Sequence, residues 1–206
     1  MAQAMWRPVL TPDEADDLFM LTLEDDTEEA PWMVMGDPQF RSASGFAHSL
    51  REYAKETGLG WYVAAMLPIL YRWRTLPRKN QVAPDVFVAF VDAHDRQSFD
   101  AETKPGGFPP FVLEVVSPSS RKRDKGDKRI AYGLLKVREY ALFWPQGPGR
   151  GTLTGYRRSA SGRFVVWKPD RDGRLWSEVL GLYLLARGQE VRAQLPDGRL
   201  LPSPAE

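Results

Sequence analysis

Phe111-Val112-Leu113-Glu114-Val115-Val116 is a strand-forming, apolar run with one carboxylate inside it, and it leads directly into Ser117-Pro118-Ser119. A strand that is apolar on both faces belongs at the centre of a sheet covered from each side. About thirty residues earlier, Pro84-Asp85-Val86-Phe87-Val88-Ala89-Phe90-Val91 has the same character, again with a single acid. An ionised carboxylate in such a setting is costly unless it is paired or holds a cation. If the two strands are neighbours, Asp85 and Glu114 reach one end of the sheet and share a space. Their mutual repulsion there is relieved by a hard divalent ion with oxygen ligands. Magnesium or manganese held by few carboxylates is the ion phosphoryl chemistry uses. Two other readings stay open. Asp85 follows a proline at a strand entry, where Asp also serves as a turn residue, and Glu114 could be neutralised by an arginine across the sheet.

Downstream of Glu114 the segment at residues 123–135 reads as a basic helix. Asp124, Lys128 and Tyr132 are four apart and fall along one face. The helix starts soon after Glu114, so its first turns can overhang the carboxylates. A lysine ammonium near a bound phosphate stabilises developing negative charge or orients a water. The alternative is an ordinary Asp–Lys helix pair contributing about 0.3–0.5 kcal/mol. Basic residues concentrate in this region: Arg121, Lys122, Arg123, Lys125, Lys128, Arg129, Lys136 and Arg138. They form either a track for a phosphate backbone or a solvated helix surface.

Further out, Thr11-Pro12-Asp13-Glu14 carries a helix-start signature, with a Thr cap, Pro at the first position and Glu three residues after the cap. That helix is expected to end near Leu23. Residues 24–31 are acidic and turn-like. Residues 42–56 form a second expected helix, with Phe46, Leu50 and Tyr53 on one face and Gly58 beyond its end. Strands are expected at residues 61–67, 69–73, 84–91, 111–116 and 139–144, then at 152–157, 164–168, 189–195 and 200–201. The link at 104–110 holds Gly106-Gly107 and Pro109-Pro110, which is loop chemistry. Helices, a group of strands, then helix and strand give an α/β (α+β) sandwich around a mixed sheet. One domain is expected over residues 1–206. Its parts are an N-terminal helix and acidic loop at 1–40, a core at 41–145 and C-terminal strands at 146–206.

The chain has 206 residues, of which 43% are hydrophobic and 27% charged, ordinary values for a soluble globular protein. It has no cysteine, which excludes disulfides and thiolate metal sites. Its two histidines, His48 and His94, are too few and too far apart for a zinc site. No apolar run approaches the roughly 18 residues a membrane span needs, and residues 1–9 lack a signal-peptide layout. A cytoplasmic location with no membrane partner is expected. The net charge of +1 makes no case for nucleic acid by itself. Gly106-Gly107 lacks the Lys and helix of a phosphate loop, and Ser117 and Ser119 have no His–Asp apparatus for nucleophilic catalysis.

Several of these residues together carry a resemblance. Pro84-Asp85-Val86, then Glu114 to Ser119, then Asp124, Lys128 and Tyr132, then Arg138-Glu139-Tyr140 resemble the Uma-two family of restriction-endonuclease-like proteins, within the PD-(D/E)xK nuclease superfamily. The likeness extends to Trp176-Ser177-Glu178-Val179-Leu180-Gly181-Leu182 and to Asp197-Gly198-Arg199. It implies a restriction-endonuclease-like central mixed sheet flanked by helices, with additional short C-terminal strands. It implies Asp85 and Glu114 as metal ligands and catalytic residues, with Mg2+ or Mn2+ as cofactor. The superfamily's lysine, two residues after the Glu, is replaced by Val116, and Lys128 is its natural substitute on the next helix. An early-helix glutamate often joins such sites, and Glu52 and Glu56 are the two candidates. Ser119, Arg121 and Tyr132 are candidate substrate contacts. Two departures, Lys136 where a Gly is usual and Trp144 where an Asp is usual, are expected to be structural.

The expected function is a metal-dependent endonuclease that hydrolyses phosphodiester bonds of nucleic acid, DNA first, with a homodimer as the usual arrangement for cutting both strands. The alternative is an idle nuclease-fold module that binds nucleic acid or a protein partner. Val116 and the near-neutral charge favour that alternative.

Overall fold

The structure, a computed structural model, describes residues 37–71, 80–101, 107–116, 127–145 and 151–204. The expected first helix at residues 11–23 lies outside them, as do Ser119, Arg121 and Asp124. Helix α1 spans Asp37–Thr57 and α2 spans Asp127–Leu134. Six strands form the central sheet: β1 (Tyr62–Ala65), β4 (Val86–Ala89), β6 (Phe111–Val115), β7 (Glu139–Trp144), β8 (Thr152–Arg158) and β9 (Phe164–Val166), adjacent in that order. All pairings are antiparallel except β6 with β7, which run parallel. Helix α2 lies in the connection between those two strands, as a parallel crossover requires.

The doubly apolar strands take the centre. Every residue of β4 and of β6 is buried, Glu114 included. Alternation along the strands divides their side chains between two cores. Val86, Val88, Phe111, Leu113, Val115, Ala141 and Phe143 face α1, through its Ala43, Phe46, Ala47, Leu50 and Ala54. Phe87, Ala89, Val112, Tyr140 and Leu142 face the opposite core, which contains Tyr132 of α2. The sheet therefore has a helix on each face.

Two small sheets complete the layers. β3 (Asn80–Val82), β2 (Ile69–Tyr71) and β5 (Phe99–Asp100) form one, in that order, beside the α2 face. β10 (Leu175–Ser177), β11 (Leu182–Arg187) and β12 (Glu190–Gln194) form the other and share the α1 core. The sequence reading differs in several respects: β3 and β5 carry no expectation as strands, and the strand expected at 200–201 is a single bridge between Leu200 and Gln194. β2 does not extend the central sheet, because Met66 turns the chain at φ 53° and Pro68 cannot donate to a ladder. β10 and β11 carry no expectation of their own as strands. The pairing of β10 with β11 is a tertiary fact.

Glycine at positive φ matters most after α1. Gly58 sits at φ 69°, with its N–H on the Lys55 carbonyl at 3.4 Å and the Leu59 N–H on the Ala54 carbonyl at 2.9 Å. This is a Schellman close, as the expected helix end requires. The same closure ends α2, with Lys136 in the glycine position at φ 64°. Its N–H reaches the Gly133 carbonyl at 3.2 Å, and the Val137 N–H reaches the Tyr132 carbonyl at 3.0 Å.

Candidate metal and phosphodiester site

Val86 pairs with Leu113 in the antiparallel β4–β6 register, so the preceding Asp85 stands opposite Glu114 where the two strands end together. β1 ends at the same edge, where the Met66 N–H donates to the Asp85 carbonyl at 3.0 Å. Asp85 is half-buried, and its Oδ2 accepts the Val115 N–H at 2.6 Å. It thereby supplies an acceptor for a β6 N–H at the point where the β4–β6 ladder ends. The carboxylate is tied to β6 at the residue after Glu114.

Glu114 is 2% exposed. Its Oε1 accepts from the Lys128 ammonium at 3.1 Å and from the Tyr132 hydroxyl at 2.6 Å. Both donors come from α2, one turn apart, so the expected single face of this helix is directed at the strand end. Lys128 is itself 5% exposed and Tyr132 is fully buried. The Lys128 ammonium thus sets a positive charge against Glu114. Val116 is buried in the apolar core of the α2 face, where a lysine at that position would have had to compete with packing.

The Tyr132 ring is fixed on three sides. It meets Tyr140 of β7 edge-on at 4.9 Å and Phe108 at 6.1 Å, while its hydroxyl holds Glu114. Tyr132, expected as a substrate contact, is fully buried with its hydroxyl on Glu114. Glu52 and Glu56 fail to join the carboxylates. Their helix packs on the opposite face of the sheet, Glu56 is exposed, and Glu52 lies in a groove beside β1 with Arg51 and Lys55. Among the described residues no group of three or more His, Cys, Asp or Glu side chains could hold a metal.

A magnesium-type ion fits this donor set better than a zinc-type ion. Magnesium accepts one or two carboxylates and completes its shell with water, whereas a structural zinc wants four protein ligands with nitrogen or sulfur among them. Asp85 and Glu114 are hard oxygen donors at facing positions, and both are held by hydrogen bonds that fix their orientation.

Other residues of the resemblance are anchors, and no local pattern separates them from site residues. Glu139 is 1% exposed, accepts the Glu178 N–H at 2.8 Å and the Ser177 hydroxyl, and lies 3.3 Å from the Arg157 guanidinium. Burial raises its pKa above the ordinary glutamate value, outweighing the lowering by Ser177, the backbone N–H groups of Glu178 and Val179, and Arg157. It joins the central sheet to the C-terminal sheet. Asp197 caps the Arg199 N–H at 2.9 Å in a turn whose Gly198 sits at φ 93°.

The chain belongs to the Uma2 family, described as "Putative restriction endonuclease", whose model matches residues 30–183. No curated protein matches the sequence. Among solved structures it is similar to a "putative nuclease belonging to DUF820" from Anabaena variabilis ATCC 29413. The TM-score is 0.47 at 13% identity, over 66% of this chain and 70% of that one.

Proposed function

We propose that this protein is a divalent-metal-dependent endonuclease that hydrolyses phosphodiester bonds in nucleic acid, with DNA as the first substrate to test. The observation that carries this reading is the meeting of Asp85 and Glu114 at one edge of the central sheet with the Lys128 ammonium 3.1 Å from Glu114. Membership of the Uma2 family supports it.

Asp85 and Glu114 would hold Mg2+ or Mn2+, and such an ion supplies Lewis-acid stabilisation of charge developing on a phosphodiester. The protein's own residues do the rest. The Val115 N–H keeps Asp85 oriented, and Lys128 brings a positive charge to a site that a polyanion must approach. That charge stabilises negative charge growing on the phosphate oxygens without moving far from its helix. With the Lys128 ammonium already set against Glu114, it is the Asp85 carboxylate that repels an incoming phosphate until a metal ion is present, which makes turnover metal-dependent by electrostatics.

The test compares plasmid and single-stranded DNA incubated with Mg2+ or with EDTA, for wild type and Asp85→Ala. Cleavage is expected only with metal and wild type, and loss of one such group typically costs about 10²–10⁴ in rate. Identical behaviour of the two proteins ends the enzymatic reading. The idle, nucleic-acid-binding module is the second reading, favoured by Val116 in place of the expected lysine. Binding of DNA without any metal-dependent cleavage would select it.

A further inference from the structure

We infer that Tyr132 is a positioning residue for the metal ligand Glu114, acting together with Lys128 and braced by Tyr140. The inference rests on the nuclease reading above and assigns to Tyr132 a task other than touching substrate.

Two donors converge on one oxygen, the ammonium at 3.1 Å and the hydroxyl at 2.6 Å, both on Oε1. A carboxylate with a single donor can rotate about its terminal torsion, whose energy wells are broad. Two donors from one rigid helix face fix its plane. They come from adjacent turns of α2, so the pair is set by the four-residue spacing between Lys128 and Tyr132. Neither donor can drift into water, because both side chains are buried.

The two donors differ in what they can do once a divalent cation is present. Lys128 carries a charge of the same sign as the ion, so the ion weakens its hold on Glu114. The Tyr132 hydroxyl is neutral and feels no such repulsion. It can keep its bond through metal binding and release. Its ring cannot swing aside either, packed edge-on to Tyr140 at 4.9 Å and against Phe108. Tyr140 belongs to β7, the neighbour of β6 on the side away from Asp85. The brace therefore runs from the sheet through Tyr140 to Tyr132 and back to the sheet at Glu114. Outer partners of this kind typically contribute about 10–100-fold to metal affinity or activity.

The test is Tyr132→Phe, which keeps the ring and its packing and removes only the hydroxyl. Mn2+ titration by calorimetry on the full chain, with thermal unfolding in EDTA alongside, separates affinity from folding. Wild type is expected to bind Mn2+. Tyr132→Phe is expected to bind about 10–100-fold more weakly, with its unfolding midpoint in EDTA close to wild type because Lys128 still neutralises Glu114. A parallel measurement of DNA binding in EDTA is expected to be unchanged. If Tyr132→Phe binds Mn2+ as wild type does, the positioning role is overturned while the nuclease reading stands. Unchanged Mn2+ affinity with weakened DNA binding would overturn it in favour of a substrate contact. If wild type binds no Mn2+, the metal site itself is lost, and this role with it.

Discussion

Lys128 and Glu114 neutralise each other in a setting that excludes water, and removing either partner alone leaves a buried charge. Lys128→Ala is expected to cost about 3–5 kcal/mol of stability, because breaking a buried pair is far worse than never having formed it. Urea unfolding in EDTA measures this. Lys128→Met with Glu114→Gln removes both charges and is expected to recover most of the loss. Mg2+ offers a further check on the site. It should raise the unfolding midpoint of Lys128→Ala more than that of wild type, since the ion replaces the missing cation at Glu114. Equal shifts in the two proteins would contradict Mg2+ binding at Glu114. Asp85 and Glu114 stand out in the sequence as lone acids in apolar runs, which is why they were legible. Tyr132 was legible only as a position on a helix face, because nothing in its neighbours tells whether that face looks inward or outward.

At the scale of elements, the end of α2 puts a side chain where the backbone favours glycine. Lys136 adopts φ 64° with both closing hydrogen bonds made. A side chain in that conformation costs about 1–2 kcal/mol, and glycine recovers most of it while giving back some entropy in the unfolded chain. Lys136→Gly is therefore expected to stabilise the protein by about 1 kcal/mol, or roughly 2–4 °C in Tm. A fall in Tm would mean that the Lys136 side chain contributes more than its backbone costs. Long, periodic α1 and the apolar strands β4 and β6 were readable because their patterns repeat over several residues. β10, three residues long, and β11 were not, since such strands are stabilised by cross-strand partners more than by local preference. The Met66 turn, which removes β2 from the central sheet, carries no glycine to announce it.

Across the whole molecule, Glu139 joins two sheets that are remote in sequence. Its folded-state pKa is raised by burial, so the native protein binds this proton more tightly than the unfolded chain does. Stability from this group is then highest below the ordinary glutamate value and falls as the pH rises from there through the raised folded value. Glu139→Gln removes the titration. The stability of wild type relative to the variant is expected to decline as pH rises from the ordinary glutamate value through the raised folded value, with other groups cancelling between them. Urea midpoints across that range test it, and parallel curves would show that Glu139 has no shifted pKa. Its bonds to Ser177 and Glu178 tie β7 to the start of the C-terminal sheet.

The sequence by itself determined the central apolar strands, the two acids within reach of them, the basic helix between β6 and β7 and the family to which they belong. The strands, the acids and the helix follow from composition and period, which are local properties of a chain, and the family follows from the likeness of particular residues. Only the tertiary structure decided that β4 lies antiparallel beside β6, so that Asp85 and Glu114 end together. It alone placed Lys128 and Tyr132 on the same oxygen and put α1, with Glu52 and Glu56, on the far side of the sheet. The reason is physical. Which strand pairs with which, and which helix face turns inward, is set by burying surface between segments distant in sequence, and no local pattern records that choice.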